Sequence, residues 1–442
     1  MADPPPRASA HGQGRTVQID VPALARVEGE GALRLRIRDG EIEELALRIY
    51  EPPRLFEKAL EGRSYEEVPD MVARICGICP VAYQISAVNA LENAFGVEVD
   101  PWVQTMRRVL YCGEWIESHC LHIHLLAAPD YFGYESAIAM SREHPEVVRR
   151  GLRLQGLGND LIRLLGGRSV HPVSVRVGGF HRAPETADVV AMRRRLQDAL
   201  SDSEALVRWT AAIAVPSDRQ NFVSVALRHD QEYPIHQGYI GADDGLAVGP
   251  EDFERQFSEH QLVHSTALAS QYRGAGYLVG PLARLNLNRE RLPAPLQGLI
   301  GEVGPSFPSS NMFNSMFVRA IEVHFAIAEA NRLLEHYAPP RAPAVGVTPC
   351  ASIGYGCSEA PRGLLWHRYR TDAQGRILAA RIVPPTSQNQ ARIEEDLRLS
   401  LLSFGLEHSD EDLRLHCEKV IRNYDPCISC ATHFLRLTTE RL

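Results

Sequence analysis

Segments with a two-residue hydrophobic period stand near both ends of the chain. Over residues 32–37 leucines and an isoleucine alternate with arginines, Asp39-Gly40 has the residue types of a tight turn, and residues 45–49 resume the period. A second alternating segment covers residues 366–382, with turn residues at 372–375. Each segment predicts a β-hairpin.

The middle of the chain has helical periodicity, and prolines mark several boundaries. Helices are predicted at residues 80–95, 105–126, 145–166, 184–215 (with a break near Asp202) and 316–337. Residues 221–311 have poor periodicity and are predicted to form loops with short strands. The pattern indicates a mainly α protein with small β segments, in which one large helical body carries a hairpin at each end.

Composition and charge exclude several classes of function. The chain has 442 residues and a formal net charge of −8, without a long basic stretch, which argues against a nucleic-acid partner. No apolar run approaches the roughly 18 residues of a membrane span. Residues 1–15 are rich in proline, alanine and glycine and have no signal-peptide core, so we expect a disordered tip on a cytoplasmic protein.

Two Cys-x-x-Cys pairs lie at opposite ends of the chain, Cys76/Cys79 and Cys427/Cys430. Cys79 precedes a proline and is predicted to start a helix. Asp425 is predicted to cap a second helix whose first residue is Pro426, with Cys427 in its first turn. Helix N-termini stabilise thiolates, so two such starts that meet would present four thiolates to a soft metal.

Spacing alone leaves alternatives open for these pairs. Each could be a redox dithiol, and both together could form a structural zinc site. Compact zinc ribbons, however, keep their pairs roughly 15–20 residues apart, whereas most of this chain separates the two pairs, as in an enzyme centre.

The other five cysteines are predicted to be mostly buried apolar residues: Cys112, Cys120, Cys350, Cys357 and Cys417. Three histidines on one helix could bind metal or be buried and hydrogen-bonded: His119, His122 and His124.

Residues 74–79 and 425–433 resemble the paired motifs of nickel–iron hydrogenase large subunits. Further segments match the family in the same order: Arg26 to Gly29, Phe56 to Lys58, Gly167 to Pro172, Gly178 to Phe180, Glu359 to Gly363, and Pro385-Thr386. In these motifs the chain resembles the soluble, cytoplasmic subgroup linked to pyridine nucleotides. Two positions depart from the family pattern, with Tyr83 in place of a histidine and Ser118 in place of an aspartate.

The resemblance implies a nickel–iron site. Cys76 and Cys427 would be terminal nickel ligands, and Cys79 and Cys430 would bridge nickel to an iron that carries cyanide and carbon monoxide. Thiolates suit both metals.

The resemblance also implies roles around the metals. Arg362, Pro385 and Thr386 would contact the diatomic ligands, and Arg362, oriented by Asp425, would also act on H2 at the open metal position. Glu28 would relay a proton from Cys427. The competing interpretations are a surface salt bridge for Arg362 and a solvent-exposed hairpin residue for Glu28.

A second, hard divalent ion such as magnesium would involve Glu57 and His433. In the family a protease removes the residues after the last histidine once nickel is inserted. We therefore expect residues 16–433 to form one multilobed catalytic unit and residues 434–442 to be a maturation tail.

The function implied by the resemblance is reversible oxidation of H2 by a catalytic large subunit. Electrons would pass to an iron–sulfur small subunit and then to a flavin partner that reduces NAD or NADP. A maturation protease and nickel-insertion proteins would be further partners. The alternatives are a hydrogen sensor with the same site and a quinone-oxidoreductase subunit of the complex I type, although such subunits lack the cysteines.

Overall fold

The computed structural model describes residues 16–432. The predicted N-terminal tip, His433 and the predicted tail lie outside the described residues. The predicted fold class is confirmed, because helices dominate and the strands form small antiparallel sheets. Among the described residues, no helix is both long and apolar enough to cross a lipid bilayer.

The α-helices range from one turn to seven turns. They are α1 (Phe56–Leu60), α2 (Val68–Val72), α3 (Pro80–Phe95), α4 (Pro101–Leu121), α5 (Ala128–Phe132), α6 (Ala137–Met140), α7 (Pro145–Gly166), α8 (Thr186–Ala211), α9 (Phe253–Gln256), α10 (Pro281–Asn288), α11 (Ala294–Val303), α12 (Ser315–Leu334), α13 (Pro385–Phe404), α14 (Asp410–Asn423) and α15 (Ile428–Ala431).

The strands pair only as antiparallel neighbours. They are β1 (Thr16–Val21), β2 (Gly31–Arg38), β3 (Glu41–Ile49), β4 (Val175–Arg176), β5 (Gly179–Phe180), β6 (Val225–Arg228), β7 (Tyr239–Ala242), β8 (Ala247–Val248), β9 (Phe257–Gln261), β10 (Leu268–Tyr272), β11 (Ser352–Ala360), β12 (Gly363–Thr371) and β13 (Ile377–Val383). Both predicted hairpins are confirmed: Leu33 pairs with Leu47 in β2–β3, and Arg368 pairs with Arg381 in β12–β13.

Two predicted helices differ from those in the structure. Helix α4 begins at Pro101, because the Asp100 carboxylate accepts a hydrogen bond from Trp102 N at 2.7 Å and caps it. The helix does not stop before Pro129 as predicted but passes through a π-helical turn, His122–Ala127, into α5. The predicted break near Asp202 is wrong, since α8 is continuous there.

The prediction for residues 221–311 is partly wrong. Short strands are present as expected, but the region also contains helices α9, α10 and α11. Helix α10 has only eight residues, and all but Asn286 are buried. Eight residues make only about two turns, which is too short a window for a helical period to stand out in the sequence.

The helical body consists of α3, α4, α7, α8 and α12, which pack on one another around the main hydrophobic core. Helices α4 and α7 approach closely, because a Cβ on Gly158 would lie 2.5 Å from Glu117 N. The β11–β12 hairpin lies against α3. The first sheet and α15 share a small apolar cluster with Ile49 and Ile428, so the two ends of the described chain meet.

Candidate metal centre

The two cysteine pairs meet in the interior. The Sγ atoms of Cys76, Cys79, Cys427 and Cys430 all lie within 4.8 Å of one another, and all four side chains are buried. Cys76 and Cys427 are 3.5 Å apart, as are Cys79 and Cys430, while Cys427 and Cys430 are 2.7 Å apart. Within residues 16–432 this is the one cluster of three or more metal-binding side chains.

Cys79 occupies the N-cap of α3, as predicted, and Pro80 is the first helical residue. Its side chain makes no capping hydrogen bond. Glu114, from α4, caps the helix instead, because its two carboxylate oxygens accept hydrogen bonds from Val81 N at 2.6 Å and Ala82 N at 3.0 Å. The Cys79 thiol therefore points to the other sulfurs rather than back to its own helix.

The predicted start of the last helix is wrong. Asp425 has a positive φ of 52° and does not cap, and α15 begins at Ile428 with Cys427 as its N-cap. The carboxylate of Asp425 faces Arg362 and Arg319 instead of the backbone. Ion pairing with two buried arginines replaces the local capping hydrogen bond that the residue type favours.

The thiols do not share one protonation behaviour. Burial raises the pKa of Cys427 and of Cys430, whereas hydrogen bonds from neighbouring thiols lower the pKa of Cys76. Four thiolates this close together would repel one another strongly in a buried site. A bound soft metal cation removes that repulsion and deprotonates its ligands. The donor set therefore fits a thiolate-ligated metal centre.

Arg362 lies at the turn between β11 and β12 and is 2% exposed, so the surface salt bridge considered above is excluded. Its Nε donates to Asp425 O at 2.7 Å, and its Nη2 lies 3.2 Å from Asp425 Oδ1. Its Nη1 is buried and has no hydrogen-bond partner among residues 16–432. Attraction to Asp425 and the neighbouring cysteines helps hold its pKa above the usual value, against the effect of burial.

Glu28 contacts the cluster directly. Its Oε2 accepts hydrogen bonds from Cys427 Sγ and from Ser429 N, each at 3.1 Å. Burial raises the pKa of this half-buried carboxyl above its ordinary value. Ser429 Oγ in turn donates to Glu51 Oε2 at 3.0 Å. Sequence reasoning missed Ser429 and Glu51, whose contacts join opposite ends of the chain.

Thr386 is also at the cluster, at the start of α13, where its Oγ1 accepts a hydrogen bond from Cys427 N at 3.0 Å. Pro385 precedes it as the first residue of that helix.

Glu57 lies on α1, which packs on β13, and its Oε1 accepts a hydrogen bond from Ile382 N at 2.7 Å. Its predicted partner at a second ion, His433, lies outside the described residues.

The three histidines on and after α4 are buried and hydrogen-bonded. His119 Nε2 is 2.9 Å from Glu322 Oε2, His122 Nε2 is 2.7 Å from Arg422 O, and His124 Nδ1 is 3.0 Å from Cys120 O. They form no metal-binding cluster within the described part of the chain. The structure therefore favours the second of the two interpretations of these residues.

Around the departures from the family pattern, Ser118 Oγ is a buried hydroxyl without a hydrogen-bond partner within residues 16–432. Tyr83 is buried beside the cluster and interacts with the Cys430 thiol. The residue before Ser118 is a carboxylate that sequence reasoning did not single out. Burial raises the pKa of Glu117 to about 8, and the positive charge of Arg362 acts against that shift. Glu117 lies one turn beyond Glu114 on the same face of α4.

Comparison with known proteins identifies the centre. A family described as nickel-dependent hydrogenase matches residues 54–150 and 251–433, segments that contain both cysteine pairs. The chain belongs to the nickel-dependent hydrogenase family. It is the catalytic subunit of a nickel–iron hydrogenase, an oxidoreductase that acts on hydrogen. The resemblance drawn from the sequence motifs is confirmed.

Relatives of this hydrogenase chain cover nearly its whole length. Sulfhydrogenase 2 subunit alpha of Pyrococcus furiosus is 32% identical, over 95% of this chain and 100% of the relative. Sulfhydrogenase 1 subunit alpha of the same organism is 33% identical, over 95% and 98% respectively. The crystal structure of an NAD+-reducing [NiFe]-hydrogenase in the H2-reduced state matches with a TM-score of 0.85 and 26% identity, over 95% of this chain and 100% of that one.

Proposed function

We propose that this hydrogenase chain catalyses H2 ⇌ 2H⁺ + 2e⁻ with its nickel–iron group held by the four clustered cysteines. Cys76 and Cys427 are assigned as terminal nickel ligands, and Cys79 and Cys430 as bridges to iron. The observation that supports this assignment is the convergence of four buried sulfurs within 4.8 Å. When bound, the nickel–iron group supplies the redox chemistry that splits H2.

Glu28 is proposed to carry the proton away from the Cys427 sulfur. Its carboxylate lies 3.1 Å from that sulfur, within the reach that proton transfer requires. Its raised pKa makes the carboxylate easier to protonate, so the group can take up a proton and release it again. Ser429 contacts both carboxylates, because its backbone N–H donates to Glu28 and its hydroxyl donates to Glu51.

Arg362 is proposed to present its unpartnered Nη1 to the substrate side of the centre. Asp425 holds the opposite edge of the guanidinium through two hydrogen bonds, so the group has one orientation. A fixed positive charge beside the thiolates polarises H2 as it approaches. Arg362, Pro385 and Thr386 are further proposed to contact cyanide and carbon monoxide on the iron.

A second divalent ion, magnesium or a similar hard cation, is proposed to bind near Glu57 together with His433. The support for this site is the family motif and the position of Glu57, which joins α1 to β13. A carboxylate is a suitable ligand for such an ion.

The electrons are proposed to leave through partner chains. Within residues 16–432 no second cluster of cysteines could hold an iron–sulfur relay. The named relatives are alpha subunits of sulfhydrogenases, and the matching crystal structure is of an NAD+-reducing enzyme. We therefore assign an iron–sulfur small subunit, a flavin partner and NAD or NADP as the acceptor, with the complex working in the cytoplasm.

Infrared spectroscopy of the purified complex tests the centre. Bands from iron-bound cyanide and carbon monoxide are expected, and nickel and iron should be found by metal analysis. Zinc as the sole metal, without these bands, would refute the assignment. Turnover of H2 with NAD or NADP then distinguishes an enzyme from a hydrogen sensor, which would carry the bands but lack this turnover.

A further inference from the structure

Arg284, on α10, is a fully buried arginine whose hydrogen-bonding capacity is completely used. Its Nε and Nη2 bind the two oxygens of Glu322, both at 2.8 Å. Its Nη1 donates at 2.8 Å to Glu359 Oε2 and at 2.8 Å to Ala360 O, and Nη2 also reaches Pro361 O at 3.2 Å. An arginine has five N–H donors, and each one has an acceptor here.

Three of those acceptors belong to consecutive residues that end immediately before Arg362. Glu359 and Ala360 close strand β11, and Pro361 leads into the turn. The carboxylate and the two carbonyls all accept hydrogen bonds from the same guanidinium. The segment that leads into the turn is therefore held on one side. Glu359 is fixed from the other side as well, because its Oε1 accepts from Leu227 N at 2.6 Å.

The remaining contacts leave this turn little room to move. A Cβ on Gly280, the residue before α10, would lie 2.9 Å from Arg362 O. Gly363, with φ of +133°, allows the chain to reverse immediately after Arg362, and a Cβ there would lie 2.8 Å from Gly280 N. The start of α10 thus packs directly on the Arg362 backbone, while the Arg284 guanidinium lies 4.6 Å from the Trp115 ring centroid.

Glu322 anchors this arrangement in the helical body. It lies on α12, is fully buried, and also accepts hydrogen bonds from His119 Nε2 and Tyr233 Oη, both at 2.9 Å. The two carboxylate oxygens of Glu322 are therefore held by three side chains from different parts of the chain, His119, Tyr233 and Arg284. A buried ion pair contributes little net stability compared with apolar packing, so stability alone does not account for an arginine here.

We propose that Arg284 is a positioning residue for Arg362. It ties the Glu359-Ala360-Pro361 backbone to α12, so that the Arg362 guanidinium, bound on one edge by Asp425, directs its Nη1 toward the centre. The inference rests on the function proposed above, because it assigns Arg362 a place beside the reacting group. A displacement of about 1 Å at such a group is enough to lower a rate by two orders of magnitude.

Arg284→Lys tests the proposal, with Arg107→Lys as the matched control. Arg107 is also fully buried and binds both oxygens of Glu92, at 2.6 and 2.7 Å, but it contacts neither Arg362 nor its neighbours. Lysine keeps the charge in both variants and cannot reproduce the planar fork. Two quantities are measured on the purified complex: hydrogen–deuterium exchange of the amides in residues 359–365, and kcat for H2 oxidation.

In Arg284→Lys we expect exchange over residues 359–365 to rise about tenfold and kcat to fall about tenfold or more, with nickel and iron retained. In Arg107→Lys both quantities should stay near the wild-type values even if the melting temperature falls equally. Equal effects in the two variants, or unchanged exchange in Arg284→Lys, would overturn the proposal. If Arg284→Lys does not fold, Glu359→Gln weakens the same clamp and should produce the same two changes.

Exchange over residues 359–365 does not depend on hydrogen chemistry. If the wild-type complex lacks the infrared bands and H2 turnover, the proposed function fails. If the wild type has both and the two lysine variants behave alike, only the role of Arg284 fails.

Discussion

The carboxylate of Glu28 and the thiol of Cys427 lie 3.1 Å apart although 399 positions separate them in the sequence. Their backbones are joined as well, because Ile428 N donates to Glu28 O at 2.9 Å. One short contact therefore places a proton acceptor beside a cysteine that is assigned to nickel. A displacement of the Glu28 segment or of the Cys427 segment would therefore move the carboxylate relative to the thiol.

Glu28→Gln should leave nickel and iron in place and slow the exchange of H2 with D2O by about a hundredfold or more, because an amide does not accept the proton. The measurement is mass spectrometry of the gas phase above the purified complex. Glu30→Gln is the control, since Glu30 is an exposed residue of the same loop. Wild-type exchange in Glu28→Gln would remove this carboxylate from the proton path.

Cys427→Ser and Cys430→Ser should each abolish H2 oxidation and nickel retention, because a hydroxyl is a poor ligand for a soft metal. Metal analysis of the purified chain is the measurement. Cys417→Ser provides the control, since Cys417 is fully buried on α14 but lies outside the cluster. Near-native nickel content in both cluster variants would refute the ligand assignment.

Local signals explain what could be predicted of the fold. Pro80 marks the start of α3, and Asp39-Gly40 marks the turn of the first hairpin. Asp425 shows the limit of such signals. Its residue type and the following proline are typical of a helix start, but the carboxylate binds arginines from β-turn and helix segments far away in the sequence.

The same distinction holds at the metal centre. The cysteine pairs could be predicted because each pair is a local motif, and Glu28, Arg362 and Thr386 lie in segments that match the family. Glu114 and Arg284 have no such signal. Each acts through backbone groups of another element, as when Glu114 caps α3, and no residue pattern along the chain records that contact.

Glu114→Gln should lower the free energy of unfolding by about 1–3 kcal/mol, since an amide offers one acceptor oxygen where two backbone N–H groups need one each. Thermal or denaturant unfolding of the purified chain measures the loss. Glu117→Gln, one turn further along α4, is the control, because Glu117 is also buried but Val81 N and Ala82 N donate to Glu114 instead. A loss of similar size in the control would argue against the capping role.

Acid should destabilise the fold partly through His124. Burial lowers the pKa of His124 from 6.5 to about 4, and the ring stacks on Trp209 with centroids 5.7 Å apart. Below pH 6.5 the unfolded chain binds a proton that the folded chain rejects, so stability falls as the pH decreases toward 4. The contribution is up to about 3 kcal/mol.

His124→Asn keeps a donor for Cys120 O but does not titrate. The variant should therefore show a shallower decline of the free energy of unfolding between pH 6.5 and 4 than the wild type. The comparison concerns slopes, because lost stacking on Trp209 lowers stability at every pH. Identical slopes would contradict a neutral, buried His124.

The active chain is expected to end at His433, after removal of residues 434–442 by a maturation protease that acts once nickel-insertion proteins have loaded the site. Thr432 is fully buried and its carbonyl accepts a hydrogen bond from Arg54 N at 2.7 Å. Cleavage after His433 would leave the new terminus one residue from this buried position. Intact-mass measurement of nickel-loaded, H2-oxidising protein is the test, and an active chain that still carries Leu442 would refute the expectation.

The partners in the cluster, Cys76 with Cys427 and Cys79 with Cys430, are each 351 positions apart. A ribosome that adds about 5–20 residues per second therefore completes the Cys76/Cys79 pair about 20–70 s before the Cys427/Cys430 pair. During that interval the nascent chain carries one thiol pair, which by its ligand type binds zinc or copper more readily than iron. A metal bound by Cys76 and Cys79 before Cys427 and Cys430 are made would have to leave before nickel could bind all four thiolates.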